Sequence, residues 1–159
     1  MPFQHFSDRT QIELVIRKAI YCQIAFSVDD QPYVVPMNFG YADGCFYLHS
    51  KPTGKKLEMM KLNPKIGFNL LSIAEPWHNG EKGEQCSMRY VSVVGSGIAS
   101  FIEDPDEKQK ALDVIGRQYD LPSEKYSDKL LQALVLIRLE VTEMNGKAAN
   151  VNCEELFVS

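Results

Sequence analysis

Histidine is scarce in this chain, three in 159 residues, and His5, His49 and His78 share no metal-ligand spacing with one another or with cysteine. The four cysteines, Cys22, Cys45, Cys86 and Cys153, make no CxxC pair, so the common zinc and dithiol motifs are absent. Cys22 and Cys45 stand in apolar, strand-like runs, where a thiol serves as a small buried side chain. Cys86 and Cys153 lie in less apolar surroundings, with nothing nearby in sequence that would lower a thiol pKa. No apolar run approaches the roughly 20 residues of a membrane span. No G-x-G-x-x-G opens a helix after a strand, which removes the usual dinucleotide fingerprint. Gly/Ser linkers, repeats and low-complexity tracts are missing too. Positive charge is in deficit, with 17 Lys and Arg against 21 Asp and Glu and a net charge of -4. Non-specific nucleic-acid binding needs a broad basic surface, so no nucleic-acid partner is expected. Met1 to Asp8 is polar with two Phe, unlike a secretory signal, and a soluble cytoplasmic protein is the expectation.

What is present suits one globular domain over residues 1–159, with 45% apolar and 24% charged residues. Ser7 to Ile20 has helical spacing at Ile12, Val15, Ile16 and Ala19, with Ser7 or Asp8 as cap. Tyr21 to Val28 reads as a strand, Asp29-Asp30-Gln31 as a turn, and Pro32 to Tyr41 as a second strand. Pro36 gives no N–H to a ladder and marks a bulge or an edge. Ala42-Asp43-Gly44 is a hairpin signal before a third strand, Cys45 to His49. Lys55 to Leu62 is a short helix and Lys65 to Ile73 a fourth strand. Ala74 to Glu84 is polar, with Pro76, Gly80 and Gly83, and reads as a long excursion carrying Trp77-His78. Arg89 to Phe101 is a long strand interrupted by Gly95 and Gly97, which signal a bulge, a barrel corner or a close backbone approach. The longest helix starts at Glu103-Asp104-Pro105 and ends near Tyr119. A short helix is expected over Ser123 to Leu131, a last strand over Leu134 to Met144, a turn at Asn145-Gly146, and a tail over Lys147 to Phe157. About six strands at hairpin spacing with helices attached outside give a mainly β fold, a small antiparallel barrel.

The most informative stretch runs from Gly44 to Lys56. It is a strand that exhausts its apolar residues, meets His49-Ser50, and turns on Pro52 and Gly54 into a helix. Lys51, Lys55 and Lys56 stand around that turn. A helix start offers unpaired N–H groups and the positive end of a dipole, and Thr53 is placed to cap it. On an acidic chain, this basic cradle points to one anion, most simply a phosphate monoester.

Three runs then carry a resemblance. They are Pro32-Tyr33-Val34-Val35-Pro36-Met37-Asn38-Phe39-Gly40-Tyr41, Phe46-Tyr47-Leu48-His49-Ser50 with Gly54-Lys55-Lys56, and the run from Cys86 to Ala99. In this order the chain resembles the FMN-binding split barrels related to pyridoxamine 5'-phosphate oxidase, and more narrowly the 5-nitroimidazole-resistance branch. The resemblance implies a six-stranded split barrel that works as a homodimer, with two FMN molecules in clefts shared by the subunits. It places Val35, Pro36, Met37, Asn38 and Phe39 along the isoalloxazine edge. His49 and Ser50 reach the ribityl-phosphate region, and Lys55 and Lys56 match the basic pair on the phosphate, with Lys51 and Gly54 of the cradle beside them. Ser92, Val93 and Ser96 belong to a segment flanking the flavin, from the partner chain in one arrangement. FAD stays open beside FMN, because the cradle reads only the first phosphate.

The resemblance has a departure. The oxidase proper binds substrate with Arg and His near its C-terminus, and Asn150 to Ser159 holds neither, which argues against pyridoxamine phosphate as substrate. The expected activity is a flavin-dependent oxidoreductase passing electrons from a reduced nicotinamide to a small acceptor such as a nitroaromatic. The alternative is a flavin- or haem-binding carrier or sensor without turnover. No side chain is assigned as catalytic. Asn38 either faces solvent by alternation or meets the flavin. Trp77 is either a local anchor or a cover for the flavin.

Overall fold

The computed structural model describes residues 3–78 and 86–151. Its elements run β1 (Gln4–Phe6), α1 (Arg9–Lys18), β2 (Cys22–Val28), β3 (Gln31–Met37), β4 (Gly40–Ala42), β5 (Cys45–Ser50), α2 (Lys55–Leu62), β6 (Lys65–His78), β7 (Cys86–Ile102), α3 (Pro105–Gln118), α4 (Asp128–Ala133) and β8 (Val135–Ala149). All strand pairs are antiparallel, in the order β3-β2-β6-β7-β8-β5-β4, with β1 on β8. The mainly β class is therefore as expected, with eight strands in place of six.

The sheet closes on itself through its aromatic core. In strand order β5 is three places from β6, yet the rings of Phe46 on β5 and Phe68 on β6 have centroids 4.7 Å apart. Phe39 and Tyr41 stack on the same Phe46 ring at 5.5 and 5.0 Å. Such tilted contacts across the interior define a barrel, packed with side chains. The corners are where the glycines suggested. A register shift falls between Ser96 and Gly97, and a Cβ on Gly95 would lie 2.3 Å from the Glu143 carbonyl oxygen and 2.5 Å from the Phe68 ring. Only glycine permits that approach.

Helix α3 closes the barrel from outside. Tyr119, its C-cap, accepts the Phe39 N–H at 2.9 Å. A Cβ on Gly40 would sit 2.5 Å from the backbone of Val114 and Ile115. This capture explains why the strand expected over Pro32 to Tyr41 splits into β3 and β4. The Gln118 amide donates to the carbonyls of Ile16, Arg17 and Ala19, which ties the end of α1 to the end of α3.

Five further expectations are corrected. Residues 74–78 continue β6 and pair with 86–90 of β7, so this part of the expected excursion is ladder, while residues 79–84 lie outside the described residues. The short helix begins at Asp128, not Ser123. Gln109 takes the Glu124 carbonyl and the Tyr126 N–H, and Ser123 donates to Asp113, so residues 123–126 are spent on α3 instead of on a helical turn. Asn145-Gly146 is no turn, because β8 runs on to Ala149. Gly146 is needed there because a Cβ would overlap the Phe6 ring, the packing that adds β1 to the sheet. Thr53 does not cap α2. Gly54 holds the N-cap position with φ 129° and no side-chain hydrogen bond. Of the expected tail, residues 147–149 are strand and residues 152–157, with Cys153, lie outside the described residues.

Candidate functional site: the turn between β5 and α2

Alternation along β5 buries Phe46, Leu48 and Ser50 and leaves Tyr47 and His49 half-buried. At its end the strand runs out of apolar partners. Ser50 is 4% exposed and its Oγ has no protein partner, and neither has the buried Nδ1 of His49 beside it. Burial, followed by the nearby Lys56 charge, pulls the His49 pKa below 6.5. The imidazole is therefore neutral at neutral pH, next to a cation. Two orphaned polar groups, an ammonium and a helix start without a side-chain cap thus meet at one turn. Each is a donor or can be one, so the turn suits an acceptor brought from outside, and a phosphate monoester satisfies all of them.

Lys55 lies with its Nζ 4.7 Å above the Tyr33 ring. Tyr33 belongs to β3, which has β2 on one side and, among the described residues, no strand on the other. The basic turn therefore adjoins an open strand edge, whose free N–H and C=O groups can meet the polar rim of a planar ligand. Val35 and Met37 face the core, while Pro36 and Asn38 are exposed at that edge. Phe39 is fully buried, so only its backbone region is held near the edge, by Tyr119. Lys51 and Gly54 are exposed at the turn. The contact of Lys55 with Tyr33 joins the turn to β3 within one chain. These groups fit a flavin mononucleotide as regards both its phosphate and its ring edge.

Ser92, Val93 and Ser96 are not brought to the turn. They sit in the middle of β7, where Val93 is in the core and the Ser92 hydroxyl faces the Lys147 carbonyl at 3.4 Å. Ser96 donates to Glu143 at 3.1 Å on the outer face. Sequence reasoning missed Tyr33 and Tyr119 as parts of the site. Tyr33 carried a signal, an aromatic at an inward position of the strand nearest the lysines. Tyr119, 80 residues from its partner Phe39, carried none.

A separate hollow of about 410 Å³ lies between α1, β4 and the end of α3, bordered by Arg9, Glu13, Tyr41 and Gln118. Arg9 is paired with Glu13 at 2.9 Å and Gln118 with α1 carbonyls, while the buried Tyr41 hydroxyl on its border has no hydrogen-bond partner among the described residues. The turn differs from this hollow in gathering two orphaned groups beside an ammonium and a helix start without a side-chain cap. No described helix is long and apolar enough to cross a membrane.

Comparison with known proteins agrees with this geometry. A family model described as pyridoxamine 5'-phosphate oxidase matches residues 8–148. A solved structure of a candidate 5-nitroimidazole antibiotic resistance protein from Bacteroides thetaiotaomicron is 33% identical, with 92% of this chain and 89% of that one covered and a TM-score of 0.80. A FAD-binding protein from Mesorhizobium loti shares the fold at 24% identity, with 94% and 100% covered and a TM-score of 0.68. An uncharacterized protein of Rhizobium meliloti, RA0666, is 29% identical over 72 residues, which are 45% of this chain, and the match spans about half, 47%, of that relative's length. With the barrel, the corner glycines and the family match in agreement, the chain belongs to the pyridoxamine 5'-phosphate oxidase family of flavin-binding split barrels.

Proposed function

We propose that the protein is an FMN-dependent oxidoreductase that takes electrons from a reduced nicotinamide and passes them to a small acceptor such as a nitroaromatic. The observation that carries this reading is the contact of Lys55 with Tyr33, which joins the anion-binding turn to the open edge of β3. A flavin held there would supply hydride-accepting and one- or two-electron chemistry. The chain's own residues bind and orient it. Ser50, Lys51, Gly54, Lys55 and Lys56 hold the phosphate, with His49 beside the ribityl chain. The backbone of residues 35–39 meets the ring edge. The acceptor class draws on the Bacteroides relative. FMN is preferred over FAD because the turn offers donors for one phosphate, and chromatography of the released chromophore decides between them. A donor pool of reduced nicotinamide fits work in the cytoplasm.

The reading includes a homodimer, with Ser92, Val93 and Ser96 of one copy flanking the flavin of the other. A sheet face that could pair in this way is uncharged at its centre. Val34 and Val94 stand out on it, 54% and 53% exposed, around Ala25, Gly67 and Asn69.

The test is anaerobic addition of NADH and of NADPH to the holoprotein, with flavin absorbance as readout. Bleaching by one donor, and recovery on adding a nitroaromatic, is the expected result. Tight flavin binding with no bleaching by either donor would replace this reading with a second one, a flavin carrier or sensor. One observation favours the second reading: the only described histidine at the turn has a lysine for its neighbour and no carboxylate to orient it as a base.

A further inference from the structure

Strands β4 and β5 meet in the hairpin at Asp43-Gly44, at the end of β5 opposite the cofactor turn. The six residues of β5 put about 20 Å of strand between the two places, at ~3.3 Å per residue. The hollow of about 410 Å³ between α1, β4 and α3 lies at this hairpin. A second hollow, of about 250 Å³, reaches Ser7, Thr142 and Glu143. Arg9 and Tyr41 border both. Tyr41 is fixed by its ring, which packs on Phe46 across the β4–β5 pair with centroids 5.0 Å apart. Its oxygen is buried and has no hydrogen-bond partner among the described residues. An orphan of this kind is costly and asks for a reason. Burial first and Glu13 second raise the Tyr41 pKa above its ordinary 10, against an opposing pull from Arg9. At neutral pH the hydroxyl therefore keeps its proton and can donate it to a hydrogen bond.

Arg9 is the cation beside that hydroxyl. Its Nη2 reaches the hairpin, 3.7 Å from where a Cβ on Gly44 would be, and its Nε donates to Glu13 at 2.9 Å. The Arg9 side chain is 65% exposed, and an exposed i,i+4 pair is a weak hold. Were it to swing aside, the two hollows would join into one trough over Tyr41. The larger hollow sets Arg9 and Arg17 against Glu13 and Asp43, so its formal charges balance. In the smaller one Glu143 already accepts the Ser96 hydroxyl at 3.1 Å. The Gln118 amide nitrogen is spent on three α1 carbonyls. The capacity that remains is that of two donors, the Tyr41 O–H and the outer nitrogens of Arg9. A carboxylate matches this pair, with one oxygen accepting from the phenol and both meeting the planar fork. The volume suits a small organic molecule. Glu13 and Asp43 supply a counter-charge if that molecule also carries an ammonium.

We infer that Arg9 and Tyr41 form a second binding site, separate from the cofactor turn, for the carboxylate of a small organic acid or amino acid. Arg9 uncovers the Tyr41 hydroxyl as the acid enters and then holds it. The site stands independently of the flavin reading.

The test is a titration of the full-length ¹⁵N-labelled protein, followed by its amide NMR shifts. The probes are propionate, benzoate, L-alanine and L-phenylalanine, with ethylamine as the control that lacks a carboxylate. Saturable movement of the Tyr41, Asp43, Gly44 and Gln118 amides with an acid, and none with ethylamine, is the expected result. Tighter binding of L-alanine than of propionate, or of L-phenylalanine than of benzoate, identifies an amino-acid site; the reverse identifies a simple acid. No saturable movement with any of the four acids overturns the inference. So does movement with ethylamine as well, or movement confined to the amides around Lys55 and Lys56. Tyr41→Phe is expected to weaken the acid at least about tenfold, the loss of one hydrogen bond to a charged group. The same change should leave the unfolding temperature of the free protein equal or higher, because it removes a buried hydroxyl without a partner. A lower unfolding temperature would show that the hydroxyl is already satisfied, and would contradict the site. Arg9→Ala, at an exposed side chain, is expected to abolish saturation, and Arg9→Lys to restore it only in part, since it returns the charge without the fork. Undiminished binding in Arg9→Ala would overturn the assignment of Arg9.

Discussion

Helices α1 and α2 begin in opposite ways. Asp8 accepts the Gln11 N–H at 3.0 Å, and α3 and α4 repeat the device with Asp104 and Ser127. Helix α2 starts at a glycine with φ 129° and no side-chain acceptor, after a serine and a histidine whose buried polar atoms lack partners. A sequence that caps three helices with short polar residues and leaves the fourth open has kept those donors for something else. The comparison teaches that unmet hydrogen-bonding capacity gathered beside lysines at an uncapped helix start marks the candidate site in this molecule.

The sharpest way to break the comparison is to remove the lysines of the open turn. Lys55→Ala with Lys56→Ala deletes two charge-assisted contacts of about 1.5–3 kcal/mol each. FMN affinity by fluorescence titration should fall by about 10²- to 10⁴-fold, while apoprotein stability moves within about 0.5 kcal/mol, as at other surface sites. If binding survives the double change, the open helix start is not a phosphate site.

Tyr119→Phe has a smaller effect and a different character. It strands the Phe39 N–H, at a cost of about 1–3 kcal/mol in urea unfolding. Because Tyr119 holds the backbone at the end of β3, flavin affinity should weaken as well. Asp104→Ala removes a satisfied cap and should cost about 1 kcal/mol of stability with FMN affinity unchanged. Loss of binding there would blur the distinction between open and closed helix starts.

The smallest effect is a pH dependence. The folded-state pKa of His49 lies below its ordinary 6.5, through burial first and Lys56 second. As pH falls, the unfolded chain takes up this proton before the folded one. Apoprotein stability is therefore unaffected above about pH 6.5, declines between 6.5 and the lowered value, and levels off below it. His49→Asn should remove that component from a series of urea melts. An unchanged pH profile would show that the ring is not held neutral at the turn.

Much of this fold was legible because its local signals agree with its packing. The helix over Lys55–Leu62 falls where the sequence put it, and so does the Asp43-Gly44 hairpin, with φ of 52° and 79°. Local signals failed where a distant partner decided the outcome. Asn145-Gly146 reads as a turn, yet that glycine exists to admit Phe6 from 140 residues away. Phe39 leaves the ladder because of Tyr119, and residues 123–126 stay unwound because of Gln109. At the site, the lysines and His49-Ser50 were visible as a cluster in sequence. The missing cap was not, since Thr53 looked suited to the role and only the backbone at Gly54 turns it away. The separation of Ser92 and Ser96 from the turn was equally hidden, because it depends on the register of two long strands.

The most direct measurement compares FMN and riboflavin as ligands of the apoprotein, with and without Lys55 and Lys56. The account predicts that the wild-type chain binds FMN far more tightly than riboflavin, and that the Lys55→Ala, Lys56→Ala form binds the two nearly alike. Equal affinity for both ligands in the wild-type chain would contradict the claim that the turn between β5 and α2 holds a phosphate.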